Sequence, residues 1–221
     1  MQVIEGLENV AVPSKNIECA NNELLHPRFV DTYKRKFEDL CHCKINTNQE
    51  LVEQFFSYNK DYDYAGFKSM PVRDGISPGL FDRQDITFIV LTREDILSTV
   101  ASFVAANRSN SWDRKGGKRS RQVRIRLFDT LMVLGNTFYL RRNVEMIKKI
   151  KNPINITYED LCNPEYHNSA LDQFFNEPIS LRNPNPPTLG SDYVENWGGF
   201  SKFVRNWYTI LDFLFEKKLV R

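Results

Sequence analysis

The sequence predicts an α/β domain built on a predominantly parallel sheet flanked by helices. Ile86-Thr87-Phe88-Ile89-Val90-Leu91 and Ile154-Asn155-Ile156-Thr157-Tyr158 are short apolar runs of strand length. Each feeds a polar turn and then a helical pattern. Continuously apolar strands need cover on both faces, which is the situation in parallel sheets. A chain of 221 residues with 41% hydrophobic and 13% aromatic residues is long and apolar enough for one core, so 1–221 reads as a single domain.

Element by element, Pro13-Ser14-Lys15-Asn16 reads as a turn and 16–20 as a short strand. After His26-Pro27, residues 29–40 mix aromatics with charge, and Asn48 supplies a capping-type residue ahead of helical spacing to Phe56; both read as surface helices. Tyr64 to Met70 is apolar on alternate positions and is stopped by Pro71, which predicts a buried strand. The run from Ile86 to Leu91 leads through Thr92-Arg93-Glu94-Asp95 into a helix from Ile96 to Ala106. In open parallel sheets ligands gather beyond such strand ends.

A basic segment follows from Arg108 to Arg126, holding Arg114, Lys115, Lys118, Arg119, Arg121 and Arg124. From Gln122 to Lys151 a long helix is expected, with Val123, Leu127, Leu131, Leu134 and Phe138 as its apolar stripe. Asn183-Pro184-Asn185-Pro186-Pro187 reads as a loop. The last helix is expected over 200–218, with Phe203, Trp207, Ile210, Leu211 and Leu214 as its apolar face.

Thirty Lys and Arg against 28 Asp and Glu give a net charge of +2, so no global field commits the chain to nucleic acid or a membrane. Any anion site must be local. Four cysteines in a chain of this length, with no signal segment at Met1 to Glu5, predict a reducing, cytoplasmic location. Cys41-His42-Cys43 resembles half of a zinc site, but the side chains are expected to diverge, and neither Cys19 nor Cys162 completes a second pair. No metal is expected, and no apolar run reaches the length of a membrane helix.

Ile89-Val90-Leu91-Thr92-Arg93-Glu94-Asp95, with Ser102 seven residues after Asp95, resembles the segment with which sulfotransferases grip the 3′-phosphate of 3′-phosphoadenosine 5′-phosphosulfate (PAPS), the bacterial carbohydrate-type branch above all. Three more stretches are similar to the family in its order. They are Asn22-Glu23-Leu24-Leu25-His26-Pro27, Gly66-Phe67-Lys68 and Ile156-Thr157-Tyr158-Glu159-Asp160-Leu161, with Tyr193 to Trp197 before the last helix. The resemblance implies a P-loop-transferase-like sulfotransferase fold, PAPS as co-substrate, adenosine 3′,5′-bisphosphate (PAP) as product, and a hydroxyl-bearing acceptor such as a glycan. Arg93 and Ser102 would hold the nucleotide: an arginine fork and a short hydroxyl suit one phosphate. Glu159 and Asp160 read as acids favoured at a helix start, and Trp197 and Trp207 as core.

Sulfuryl transfer also needs a base for the acceptor hydroxyl. Glu23 takes that role by the resemblance, His26 is its rival, and Lys68 is an assisting cation. One family feature is missing from residues 1–20, the Ser-Gly-Ser/Thr-Thr run that cradles the 5′-phosphosulfate. Either the fold is cut short at its first strand or the chain is a divergent member. Two other readings stay open, a non-catalytic binder of polyanions or nucleic acid through the basic segment, and an inactive homologue.

Overall fold

The computed structural model describes residues 17–20, 24–76, 78–109, 124, 129–161, 163, 165–179 and 194–218. The class is α/β. Strands β1 (Ile17–Ala20) and β2 (Tyr64–Phe67) form one pair, and β3 (Ile89–Thr92) and β4 (Ile154–Thr157) a second. Among the described residues these are two separate pairs, in place of the single broad sheet expected. The helices are α1 (Val30–Cys41), α2 (Asn48–Tyr58), α3 (Ile96–Ser109), α4 (Thr130–Ile147), α5 (Tyr158–Leu161), α6 (Ser169–Phe175) and α7 (Trp197–Glu216).

The chain divides into two compact units. The first comprises Met1–Val90, Met146–Asn155 and Asn163–Asn183. In it β1 and β2 run parallel, Ile17 opposite Tyr64 and Ala20 opposite Phe67. Parallel neighbours need a crossover, and α1 and α2 supply it. Helix α2 starts at a capping box: the Thr47 hydroxyl accepts the Glu50 N–H at 3.1 Å, while the Glu50 carboxylate accepts the Asn46 N–H at 2.7 Å. The cap is therefore Thr47, one residue before the Asn48 expected.

Neither helix is merely superficial. Leu51, Val52 and Phe55 of α2 are 3% exposed or less, and Phe37 of α1 is buried with them. Phe55 is edge-on to Phe37 at 6.1 Å and to Phe67 of β2 at 5.7 Å, so one ring ties both helices to the strand. Burying each such side chain is worth about 1.5–3 kcal/mol. Beyond β2, the buried Asp74 carboxylate accepts the Ser69 hydroxyl and the Met70 N–H, both at 2.7 Å, and pairs with Arg73. Gly75 follows at φ 60°, a conformation that glycine adopts without strain and that closes the turn.

The apolar strands are shorter and less covered than their composition predicts. Of Ile86 to Leu91 only Ile89 to Leu91 lie in β3, and Val90 is the buried member. In β4, Ile156 is buried beside an exposed Asn155, and Tyr158 already opens α5. A two-stranded pair needs apolar cover on one face only, so expected burial on both faces gives way to alternation.

The second unit comprises Leu91–Glu145, Ile156–Cys162 and Pro184–Arg221. Val100, Ala101 and Val104 of α3, Val133 of α4, and Phe200 and Val204 of α7 form its core. Helix α4 buries Val133, Thr137 and Arg141, whereas Leu131 of the expected stripe is 79% exposed. The polar members are buried because they are satisfied. The Thr137 hydroxyl donates to Val133 O at 2.7 Å, and Arg141 binds Glu145 and, at 2.6 Å, Asp212. In α7 the buried residues are Phe200, Val204 and Leu211; Phe203 and Ile210, expected inward, are exposed.

Candidate anion site at the ends of β3 and β4

Of the five residues singled out by sequence, the four that are described divide between the units: His26 and Lys68 in the first, Arg93 and Ser102 in the second. Arg93 is the first residue after β3, half-buried, and its guanidinium carbon lies 4.7 Å from the centre of the Tyr158 ring. Tyr158 is the first residue after β4. The two strand ends thus present an arginine and an aromatic platform to each other, a pairing in which the ring face attracts the cation.

The turn after β3 is held by carboxylates. Glu159 accepts the Glu94 N–H at 3.1 Å and the Asp95 N–H at 3.4 Å. Asp95 caps α3, accepting the Ser98 N–H at 3.0 Å and the Ser98 hydroxyl. After β4, Thr157 and Asp160 bond reciprocally, each N–H to the other's side chain at 3.0 Å. The backbone donors of both turns therefore already face protein carboxylates.

Ser102 stands on the second turn of α3, half-buried, and its hydroxyl donates to Thr99 O at 2.9 Å. Giving that hydrogen to a phosphate means exchanging a bond worth about 0.5–1.5 kcal/mol net. Ser102 is in this respect an ordinary helix hydroxyl.

In the first unit His26 organises the entry to α1. Its carbonyl accepts the Phe29 and Val30 N–H groups at 2.8 and 2.9 Å, and its Nδ1 accepts the Arg28 N–H at 2.9 Å. With Nδ1 as acceptor the neutral ring carries its hydrogen on Nε2, so the lone pair a base would use is already bonded. Lys68 directly follows β2 and is half-buried, in the segment fixed by Asp74. Glu23 lies outside the described residues, as do Tyr193 and Arg114, Lys115, Lys118, Arg119 and Arg121 of the basic segment. Arg124 is exposed, and Arg108, at the head of that segment, forms an ion pair at 3.1 Å with the fully buried Asp129.

Tyr158 and Asp74 had no assigned role in the sequence. The signal for Tyr158 was its position, an aromatic directly after a strand and next to the paired acids. For Asp74 nothing local distinguished a buried, four-bonded carboxylate from a turn acid. Trp197 packs on Phe200 at 5.7 Å and against the core of the second unit, whereas Trp207, expected in the core, is half-buried and donates from Nε1 to Leu134 O at 3.2 Å. Among the described residues no group of three or more His, Cys, Asp or Glu is arranged to hold a metal, and no helix is long and apolar enough to cross a membrane. Compared with known proteins, the chain matches no family model, no curated protein and no solved structure.

Proposed function

We propose that the chain has a sulfotransferase fold and is a PAPS-binding protein that transfers a sulfuryl group to a hydroxyl acceptor, a glycan being the class the resemblance favours. The observation that carries this reading is Arg93, placed at the end of β3 with its guanidinium carbon 4.7 Å from the centre of the Tyr158 ring at the end of the neighbouring β4. A planar fork held at a strand end is suited to the 3′-phosphate of the nucleotide. Because Glu159 and Asp95 hold the turn amides, the phosphate is assigned to the arginine side chain, with Ser102 joining only after its own bond is exchanged. Transfer itself would proceed by in-line attack, with Glu23 receiving the acceptor's proton, or His26 once its Nδ1 gives up the bond from the Arg28 N–H, and with Lys68 offsetting charge on the sulfuryl group.

A second reading has its own support. The Glu159 grip on the turn and the Ser102 hydroxyl bonded within its own helix are what a homologue would show that keeps the architecture without turnover. Residues 1–20 also lack the phosphosulfate cradle, and losing one preorganised donor of that kind costs about 10²–10³-fold in rate.

One pair of assays separates the readings. Calorimetric titration with PAP should give saturable binding, and incubation with radiolabelled PAPS and a glycan panel should give transfer well below an ordinary ~1–10 s⁻¹. Binding with no transfer at all selects the inactive homologue. Absence of PAP binding overturns both.

A further inference from the structure

Two residues of α7 that periodicity places inward, Phe203 and Ile210, stand outward instead, and with Phe213 they are 37%, 49% and 55% exposed. They are not scattered. Gly199, Phe203, Asn206, Ile210, Phe213 and Lys217 are all exposed and recur at alternate steps of four and three, the spacing of a coiled-coil seam. At 1.5 Å per residue the stripe is about 27 Å long. The buried residues Phe200, Val204 and Leu211 occupy a different face of the helix. Half-buried Trp207 and Leu214 border the stripe on the side toward that core, and exposed Lys202, Thr209 and Glu216 border it on the other. The Trp207 bond to Leu134 O and the Arg141–Asp212 ion pair hold α7 against α4 in this rotation, with the stripe outward.

We propose that a second copy of the chain docks on this stripe, α7 lying antiparallel against α7 of the copy. Placed about a two-fold axis near Tyr208, the helices set Phe203 against the copy's Phe213, Asn206 against its Ile210 and Gly199 against its Lys217, and the same contacts recur with the copies exchanged. The sizes suit each other. Ring meets ring, and the long Lys217 stem meets a residue with no side chain, beside which an added Cβ would touch nothing within 4 Å.

Charge selects both the partner and its direction. In the same register Lys202 falls beside the copy's Glu216, and Glu216 beside the copy's Lys202, so one surface carries both halves of two ion pairs at its rim. A parallel pair would set Lys202 beside the copy's Trp207 and Thr209 beside its Leu214, with no ion pair, and would bring Lys217 against itself. A contiguous exposed apolar stripe marks an interaction surface. An anionic membrane fits it less well, because Glu216 stands one turn from Phe213 and would be repelled, whereas a copy's Lys202 requires that acid.

Sedimentation equilibrium of the full chain over about 1–200 μM reads the association, since one helix pair makes an interface at the small end of specific contacts. The expected result is a reversible monomer–dimer equilibrium. Ile210→Arg should abolish it across that range with an unchanged circular dichroism spectrum, residue 210 lying outside the core. Lys202→Glu and Glu216→Lys should each raise the dimer dissociation constant roughly two- to thirty-fold, because each costs a dimer two exposed ion pairs. An equimolar mixture of those two variants should recover the wild-type value, since every charge then meets its opposite across the axis. The proposal is overturned if the chain is monomeric throughout the range, if Ile210→Arg dimerises as well as wild type, or if the mixture associates no better than either variant alone. Monomeric chain that pellets with phosphatidylserine–phosphatidylcholine vesicles would assign the stripe to a membrane and overturn it equally.

Discussion

At Arg93 the chain turns a strand end into a charged platform, and Tyr158 does part of that through its ring alone. Tyr158→Phe keeps the ring and should leave PAP affinity unchanged. Tyr158→Leu removes a cation–π contact of about 0.5–2 kcal/mol and should weaken binding roughly two- to thirty-fold. Equal affinities for the two variants would mean that the ring does not position the arginine. Glu50 illustrates a charge that is legible in acid. The Asn46 and Thr47 N–H groups hold its carboxyl below the usual range. A depressed folded value means that the charged form favours folding, so its contribution is present above about pH 4.3 and is lost as pH falls through the folded value. Urea midpoints of wild type and Glu50→Gln should therefore differ at pH 7 and converge on acidification; a constant gap down to pH 2 contradicts this.

Elements succeed or fail as local signals agree with distant partners. Helix α2 carries its own start signal, and Thr47→Ala should cost about 1 kcal/mol in denaturant unfolding. Glu159 is the opposite case, an α5 residue whose bonds are to amides 64 and 65 residues earlier in the chain. Glu159→Ala should cost about 0.5–1.5 kcal/mol, the net worth of a hydrogen bond whose donor water can reach, with an unchanged denaturant slope. A loss below the error of the measurement would show that the grip is not structural.

The same contrast explains what was readable beforehand. The β3–α3 unit, the β4–α5 unit and α7 follow from apolar runs and periodicity, and α2 from helical spacing behind a capping-type residue. The buried face of α4 did not, because Arg141 is buried only by virtue of Glu145 and Asp212, the latter 71 residues away. Helix α6 went unread although Asn168 caps it with two bonds at 3.1 Å; seven residues are too few for a periodic pattern. Of the site, the strand-end position of Arg93 was legible and its aromatic seat was not, since contact between two strand ends is a product of sheet pairing rather than of sequence spacing.

At the scale of the molecule, each unit has its own apolar core, and Arg93, Ser102, Tyr158 and Glu159 all belong to the second. The nucleotide reading can thus be tested on residues of one unit. The decisive comparison is calorimetric: PAP against adenosine 5′-monophosphate, which lacks only the 3′-phosphate, on wild type and on Arg93→Ala. One charged hydrogen bond is worth about 1.5–3 kcal/mol, so PAP should bind roughly ten- to 150-fold more tightly than the monophosphate, and Arg93→Ala should erase that preference while leaving the monophosphate affinity alone. Equal binding of the two nucleotides to wild type, or a preference that survives in Arg93→Ala, would contradict the assignment of the 3′-phosphate to Arg93.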